Sequence, residues 1–208
     1  MKSEHREARE RQIFDAAYKL LEKKGYKATS MLAVAKAASA SNETMYSWFG
    51  NKQGLVKAMV EANAESAMTA LEKALAADRR SGDDALSALR KVGPAILTLV
   101  TGERAVALDR AAAAEAYHGG ELGKLIAIHS RDTIAPMLEE LIGRASAQGI
   151  FNPDIDVGEI VEIYIALLIG DAQIRRVTGA APVPDPGKVE LHSERVIEIL
   201  LDLYGAKN

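Results

Sequence analysis

Residues 29–52 read TSMLAVAKAASASNETMYSWFGNK, two short helical stretches joined by a turn of small residues. At about 100° per residue, the second stretch, residues 42–49, brings Met45 and Phe49 together on one face. Glu43, Thr44 and Ser47 fall opposite, with Tyr46 and Trp48 on the flanks. A segment with so much polar and aromatic surface and so small an apolar anchor is built to touch something outside the chain. The major groove of DNA, which admits one helix and is read by amide and hydroxyl side chains, fits best.

The flanking sequence supports the reading. Ile13, Phe14, Ala17, Tyr18, Leu20 and Leu21 recur at helical spacing between about Arg6 and Lys24, and Gly25 stops that helix. Thr29 or Ser30 caps the next, which runs to Ala37 or Ala38 with Val34 and Ala35 facing inward. Ser39, Ala40 and Ser41 make the turn, and Ser41 caps the stretch beginning at Asn42. Gly50 ends it, and Asn51 caps a long helix from Lys52 toward Ala77. The expected domains are residues 1–55, a three-helix helix-turn-helix domain, and residues 56–208, a larger helical domain entered through a connecting helix at about 52–77.

Punctuation divides the remainder into helices at 83–101, bent by Gly93 and Pro94, at 104–117, at 121–147 with Pro136 inside, at 156–179 and at 186–204. Asp156 with Glu159 resembles a capping box, and Asp185 before Pro186 is an N-cap followed by proline at the first helical position. The expectation is an all-α chain of about nine helices. In residues 160–169 the apolar positions go nearly all the way round, and the last helix carries Leu191, Val196, Ile197, Ile199, Leu200, Leu201 and Leu203. Both exceed one stripe. A homodimer that joins the helices at about 156–179 and 186–204 to their symmetry mates in a four-helix bundle accounts for that excess. The other reading makes both of them central core helices.

At 208 residues and 48% apolar composition, the chain can bury a sizeable core. It has no cysteine, which excludes disulfides and thiolate metal sites and fits a reducing cytoplasm. The amino terminus is charged and lacks an apolar signal region, and the longest apolar run, 163–169, is too short to cross a bilayer, so no membrane partner is expected. The net charge of −3 conceals an asymmetry: residues 1–60 hold eleven Lys and Arg against six Asp and Glu, or +5, leaving −8 for the rest. Only the amino-terminal part is suited to approach phosphate. No nucleophile elbow, phosphate-binding loop or dinucleotide fingerprint is present, and His5, His118, His129 and His192 lie far apart, so neither an enzyme, a metal nor a cofactor is expected. A helical enzyme that assembles its site from scattered residues is the rival from another class, and the sequence nominates no residue for it.

The helix ending in Gly25 and Tyr26, the Thr at position 29, and Thr44, Met45, Tyr46, Phe49 and Lys52 at their spacing resemble the tetracycline-repressor (TetR-like) family of bacterial transcriptional regulators, most clearly over residues 10–60. The turn departs from that family's usual pattern, with Ser39 and Ala40 where Gly and Val are common and Glu43 where Gly often follows. Beyond residue 80 the resemblance is one of helix plan. It implies a dimeric regulator of double-stranded palindromic operator DNA, usually a repressor, that a small effector releases. A DNA-binding dimer without an effector is the alternative, and ligand-dependent release separates the two.

On the docking that this implies, Asn42, Thr44 and Ser47 reach base edges, Asn42 being able to pair with adenine through two bonds. Tyr46 and Trp48 hold the backbone, Lys52 and Thr29 bind phosphate, and Ser41 either joins them or only caps its helix. For the effector, expected to be largely apolar with one or two polar anchors, the candidates are Tyr117, His118, His129 and Tyr164. Arg175 and Arg176, following Asp171, read as solvated or ion-paired.

Overall fold

The computed structural model describes residues 2–81, 85–129 and 131–206. Among them the chain forms eleven α-helices and one 3-10 turn: α1 Lys2–Ala28, α2 Met31–Ala37, α3 Asn42–Phe49, α4 Lys52–Ser81, α5 Ala85–Thr101, α6 Glu103–Glu115, the turn Ala116–His118, α7 Glu121–His129, α8 Arg131–Ala147, α9 Val157–Ile169, α10 Ala172–Val177 and α11 Pro186–Tyr204. The extended contact in these residues is one isolated bridge, Phe151 with Gly205. The all-α expectation holds.

Two compact units divide the chain. One holds residues 1–63 with 103–130, the other 64–102 with 131–208. The division differs from the expected boundary near residue 55, because α6 and α7 side chains Ala107, Leu108, Ala111 and Leu122 belong to the same apolar cluster as Ile13, Phe14, Val34, Met45 and Leu55. That cluster gives the short α2 and α3 a floor. In α1 the buried Ile13, Phe14, Ala17, Tyr18 and Leu21 form a two-wide stripe. Gly25, at φ 72°, then turns the backbone so that Tyr26 folds back into the core at 5% exposure.

The second unit is built on α5, α8, α9 and α11, with Leu138, Leu141, Ile142, Tyr164, Leu168 and Leu200 fully buried between them. Phe151, also fully buried, lies in the loop after α8, which is tied to the chain's end by Asn152 N–H donating to the Tyr204 carbonyl at 2.8 Å and Ala206 N–H to Ile150 at 3.1 Å. Local signals set the helix starts. Asp156 Oδ1 accepts from Glu159 N–H at 3.1 Å, and Asp185 Oδ1 accepts from Gly187 and Lys188 at 3.0 and 3.4 Å.

The helix expected at 121–147 is helical over 121–129 and 131–147, with position 130 outside the described residues and Pro136 inside the second stretch. The missing proline N–H forfeits one bond, to the Asp132 carbonyl, and the helix continues. One expected helix is split in two. The helix expected at 156–179 ends at Ile169, because Gly170 takes φ 47° and its N–H closes on Ala166 at 2.9 Å; α10 then starts afresh. The polar link expected at 78–83 is helical through Ser81, and 82–84 lie outside the described residues. Among described helices none is long and apolar enough to cross a membrane.

Candidate nucleic-acid interface

The reading element is fixed by its caps. Ser30 Oγ accepts from Ala33 N–H at 3.2 Å, so Ser30, not Thr29, caps α2. Thr29 is 4% exposed, and its hydroxyl donates to the Gly25 carbonyl at 2.9 Å, which gives it an interior contact where a phosphate contact was expected. After α2, Ala40 N–H donates to the Ala35 carbonyl at 2.8 Å and Ser39 N–H to Lys36 at 3.3 Å. This is the two-bond helix ending that usually has glycine in the left-handed position; here Ser39 occupies it at φ 52°.

Ser41 Oγ accepts from Thr44 N–H at 3.0 Å and lies 2.8 Å from Thr44 Oγ1. Ser41 is therefore a cap, and its hydroxyl and that of Thr44 meet each other. Met45, fully buried, anchors α3 to the floor, while the Phe49 ring packs tilted against Phe14, 5.9 Å between centroids. Asn42, Glu43, Tyr46 and Ser47 are exposed, Tyr46 at 56%, and Thr44 is half-buried. The polar face expected of the sequence is thus turned outward. Glu43 in the first turn suits the helix dipole. Trp48 is half-buried, edge-on to Phe49 at 6.3 Å, with the Arg6 guanidinium 5.0 Å from its ring centroid. Arg6 was absent from the sequence candidates. The signal for it was faint, a helical spacing of Arg6, Arg9 and Ile13 that continues the core stripe of α1.

The hinge between α3 and α4 is tight. Gly50, at φ 71°, ends α3, Asn51 Oδ1 accepts from Gly54 N–H at 2.8 Å, and a Cβ at Gly54 would stand 2.0 Å from the Phe49 carbonyl oxygen. Lys52 is folded inward. Its ammonium donates to the Tyr26 carbonyl and lies 3.7 Å from the Tyr26 ring centroid. Burial holds its pKa below the ordinary lysine range, against the opposite pull of Glu115 and Glu121. Glu115, 6% exposed, accepts from Leu122 N–H at 3.1 Å and so caps α7 from the end of α6. Lys52 and Thr29, expected at phosphate, both face their own domain in this structure.

The effector candidates fall in both units. Tyr117 is 98% exposed in the 3-10 turn, and the side chain of His118 lies outside the described residues. His129 Nδ1 stands 3.4 Å from Glu61 Oε1 in the first unit. Tyr164, in the second unit, is fully buried, and its hydroxyl has no hydrogen-bond partner among the described residues. Gly93 leaves room for it, since a Cβ there would stand 2.8 Å from the Tyr164 oxygen. Arg175 pairs with Asp171 at 3.5 Å, while Arg176 donates to the carbonyls of Thr101 and Ala181 at 2.9 and 3.1 Å. Among described residues no group of three His, Cys, Asp or Glu could hold a metal ion.

Known proteins share this arrangement. The model of the bacterial regulatory proteins of the tetR family matches residues 13–59, and that of the C-terminal domain of AefR-like transcriptional repressors matches residues 87–206. The HTH-type transcriptional regulator YvkB of Bacillus subtilis (strain 168) is 41% identical over 63 residues, a match that covers 30% of this chain and only 33% of that relative. A TetR transcriptional regulator from Agrobacterium tumefaciens superposes with a TM-score of 0.71 at 26% identity, covering 96% of this chain and 95% of the other. The flavonoid-responsive regulator FrrA superposes at 0.69 with 23% identity, covering 97% and 99%.

Proposed function

The chain belongs to the tetR family of bacterial regulatory proteins, and from that membership we propose that it is a repressor that binds a palindromic operator as a homodimer and leaves it when a small effector binds. The observation that carries the reading is the outward face of α3: Asn42, Tyr46 and Ser47 are exposed while Met45 is its one fully buried side chain. Asn42, Thr44 and Ser47 read base edges in the major groove, and Tyr46 and Trp48 hold the backbone. Ser41 sets the start of the helix. Lys52 reaches phosphate by leaving the Tyr26 carbonyl, and Thr29 supports it from the interior.

The dimer forms through α9 and α11. In α9, Ile160, Val161, Tyr164 and Leu168 are buried, but Ile163, Ile165, Leu167 and Ile169 are covered only in part, and α11 leaves Leu191 and Leu203 exposed at 74% and 60%. Paired recognition helices about 34–36 Å apart match one turn of DNA. An effector acts only if it prefers a different spacing. A fold shared with a flavonoid-responsive regulator supports a small-molecule effector, and Tyr164 is the polar anchor best suited to a largely apolar one, because its buried hydroxyl gains most from a new partner. Selection of bound duplexes from a random pool, followed by a screen for compounds that release the winner, tests the proposal. An enriched palindrome released by an apolar compound is the expected result; no enrichment sinks DNA binding, and enrichment without release sinks the effector.

A further inference from the structure

Ser39 is, among described residues, the one non-glycine residue with positive φ, at 52°. Glycine is the usual occupant of such a site because a Cβ crowds the neighbouring carbonyl there. An arginine thirty positions away meets it. Arg9 Nη2 donates to the Ser39 carbonyl at 2.6 Å, and Arg9 Nη1 to Gln12 Oε1 at 2.7 Å. One turn earlier on the same face of α1, the Arg6 guanidinium lies against Trp48 at 5.0 Å. One turn later, Ile13 is fully buried in the core. The stripe Arg6, Arg9, Ile13 therefore runs from the core out across the reading element, with arginine where its neighbours change from apolar side chains to a carbonyl and an indole.

We propose that Arg9 is a positioning residue for the recognition helix: its charge-assisted bond to the Ser39 carbonyl holds the α2–α3 turn in the shape a glycine would take unaided. The planar fork fixes the direction of that carbonyl, and with it the peptide plane from which α3 departs. Arg6 on Trp48 steadies the far end of the same helix. The first turns of α1 thus form a third part of the DNA-reading element and explain how it works with serine in the turn. The consequence for DNA rests on the operator-binding reading, whereas the turn geometry does not.

The test compares the full-length chain with R9A, R9K, S39G and R9A/S39G. Affinity for the selected duplex is measured across salt concentrations, and amide hydrogen exchange at Ala40, whose N–H closes α2, is measured without DNA. R9A is expected to bind about tenfold more weakly at every salt concentration with an unchanged salt slope, and to exchange Ala40 about tenfold faster. R9K falls between. R9A/S39G stays within about threefold of S39G in both readouts, because glycine needs no restraint; this pair also decides the matter if R9A alone folds poorly. Unchanged affinity and exchange in R9A would overturn the proposal. So would a salt slope shallower by about 0.9 without rescue by S39G, which assigns Arg9 to a phosphate. If the unaltered chain selects no duplex, the operator reading fails and the Ala40 exchange alone decides the role of Arg9.

Discussion

Asn42 and Tyr46 stand one turn apart on α3, both exposed, yet their chemistry separates them. An amide can match one base by two bonds, and its loss removes discrimination at that base pair; a phenol on the backbone contributes equally to every sequence. Asn42→Ala is therefore expected to relax sequence choice at one position per half-site, by about 1–3 kcal/mol of discrimination, while Tyr46→Ala weakens all duplexes alike. Titration against single-base variants at fixed salt checks both, and equal losses across all variants for the two would refute the docking. Tyr18, buried in α1, donates to the Met59 carbonyl at 3.3 Å, and burial pushes its pKa to about 12 from 10.0. The folded state thus holds the phenol proton more tightly than the unfolded chain does. Its contribution is complete below pH ~10 and is lost as pH rises toward ~12, amounting to roughly 2–3 kcal/mol at about 1.4 kcal/mol per unit. Chemical denaturation from pH 9 to 12 should show Tyr18→Phe losing less stability over that range than the unaltered chain. Parallel curves would mean that Tyr18 does not titrate with unfolding.

At the scale of elements, the junction of α3 and α4 is decided by the absence of one side chain. Alanine in place of a helical glycine ordinarily stabilises by about 0.5–1 kcal/mol. At Gly54 the sign reverses, since the added Cβ would meet the Phe49 carbonyl at 2.0 Å and overpacking of this kind costs about 1–3 kcal/mol. Gly54→Ala is expected to lower Tm by several degrees and to weaken operator binding by displacing the end of α3. A rise in Tm would show that the junction has slack. The limits of α3, Asn42–Phe49, and its cap Ser41 are legible in the sequence, because caps and glycine stops act within four residues. The constraint at Gly54 is not, since it comes from a carbonyl five residues back in a different helix, nor is the helix end at Gly170, where a glycine within an apolar run reads as tolerated until its φ is known.

For the whole molecule, α9 and α11 carry more apolar surface than one chain covers. If they form the dimer, Leu203→Glu, at a site 60% exposed, should leave folding intact and shift sedimentation toward the monomer, with operator affinity falling at least tenfold as one half-site is lost. A variant that remains dimeric would place the interface elsewhere. The sequence by itself determined the all-α class, the reading element with its outward face, the basic-then-acidic charge order and the family resemblance. Each rests on residue type at short fixed spacing, where backbone geometry leaves few alternatives. Only the tertiary structure decided that α6 and α7 share a core with the amino-terminal helices, that Lys52 folds onto Tyr26, and that Arg9 reaches Ser39. Such contacts join residues 26 or more positions apart, and a long flexible side chain among many exposed charges finds its partner only once packing has fixed which faces meet.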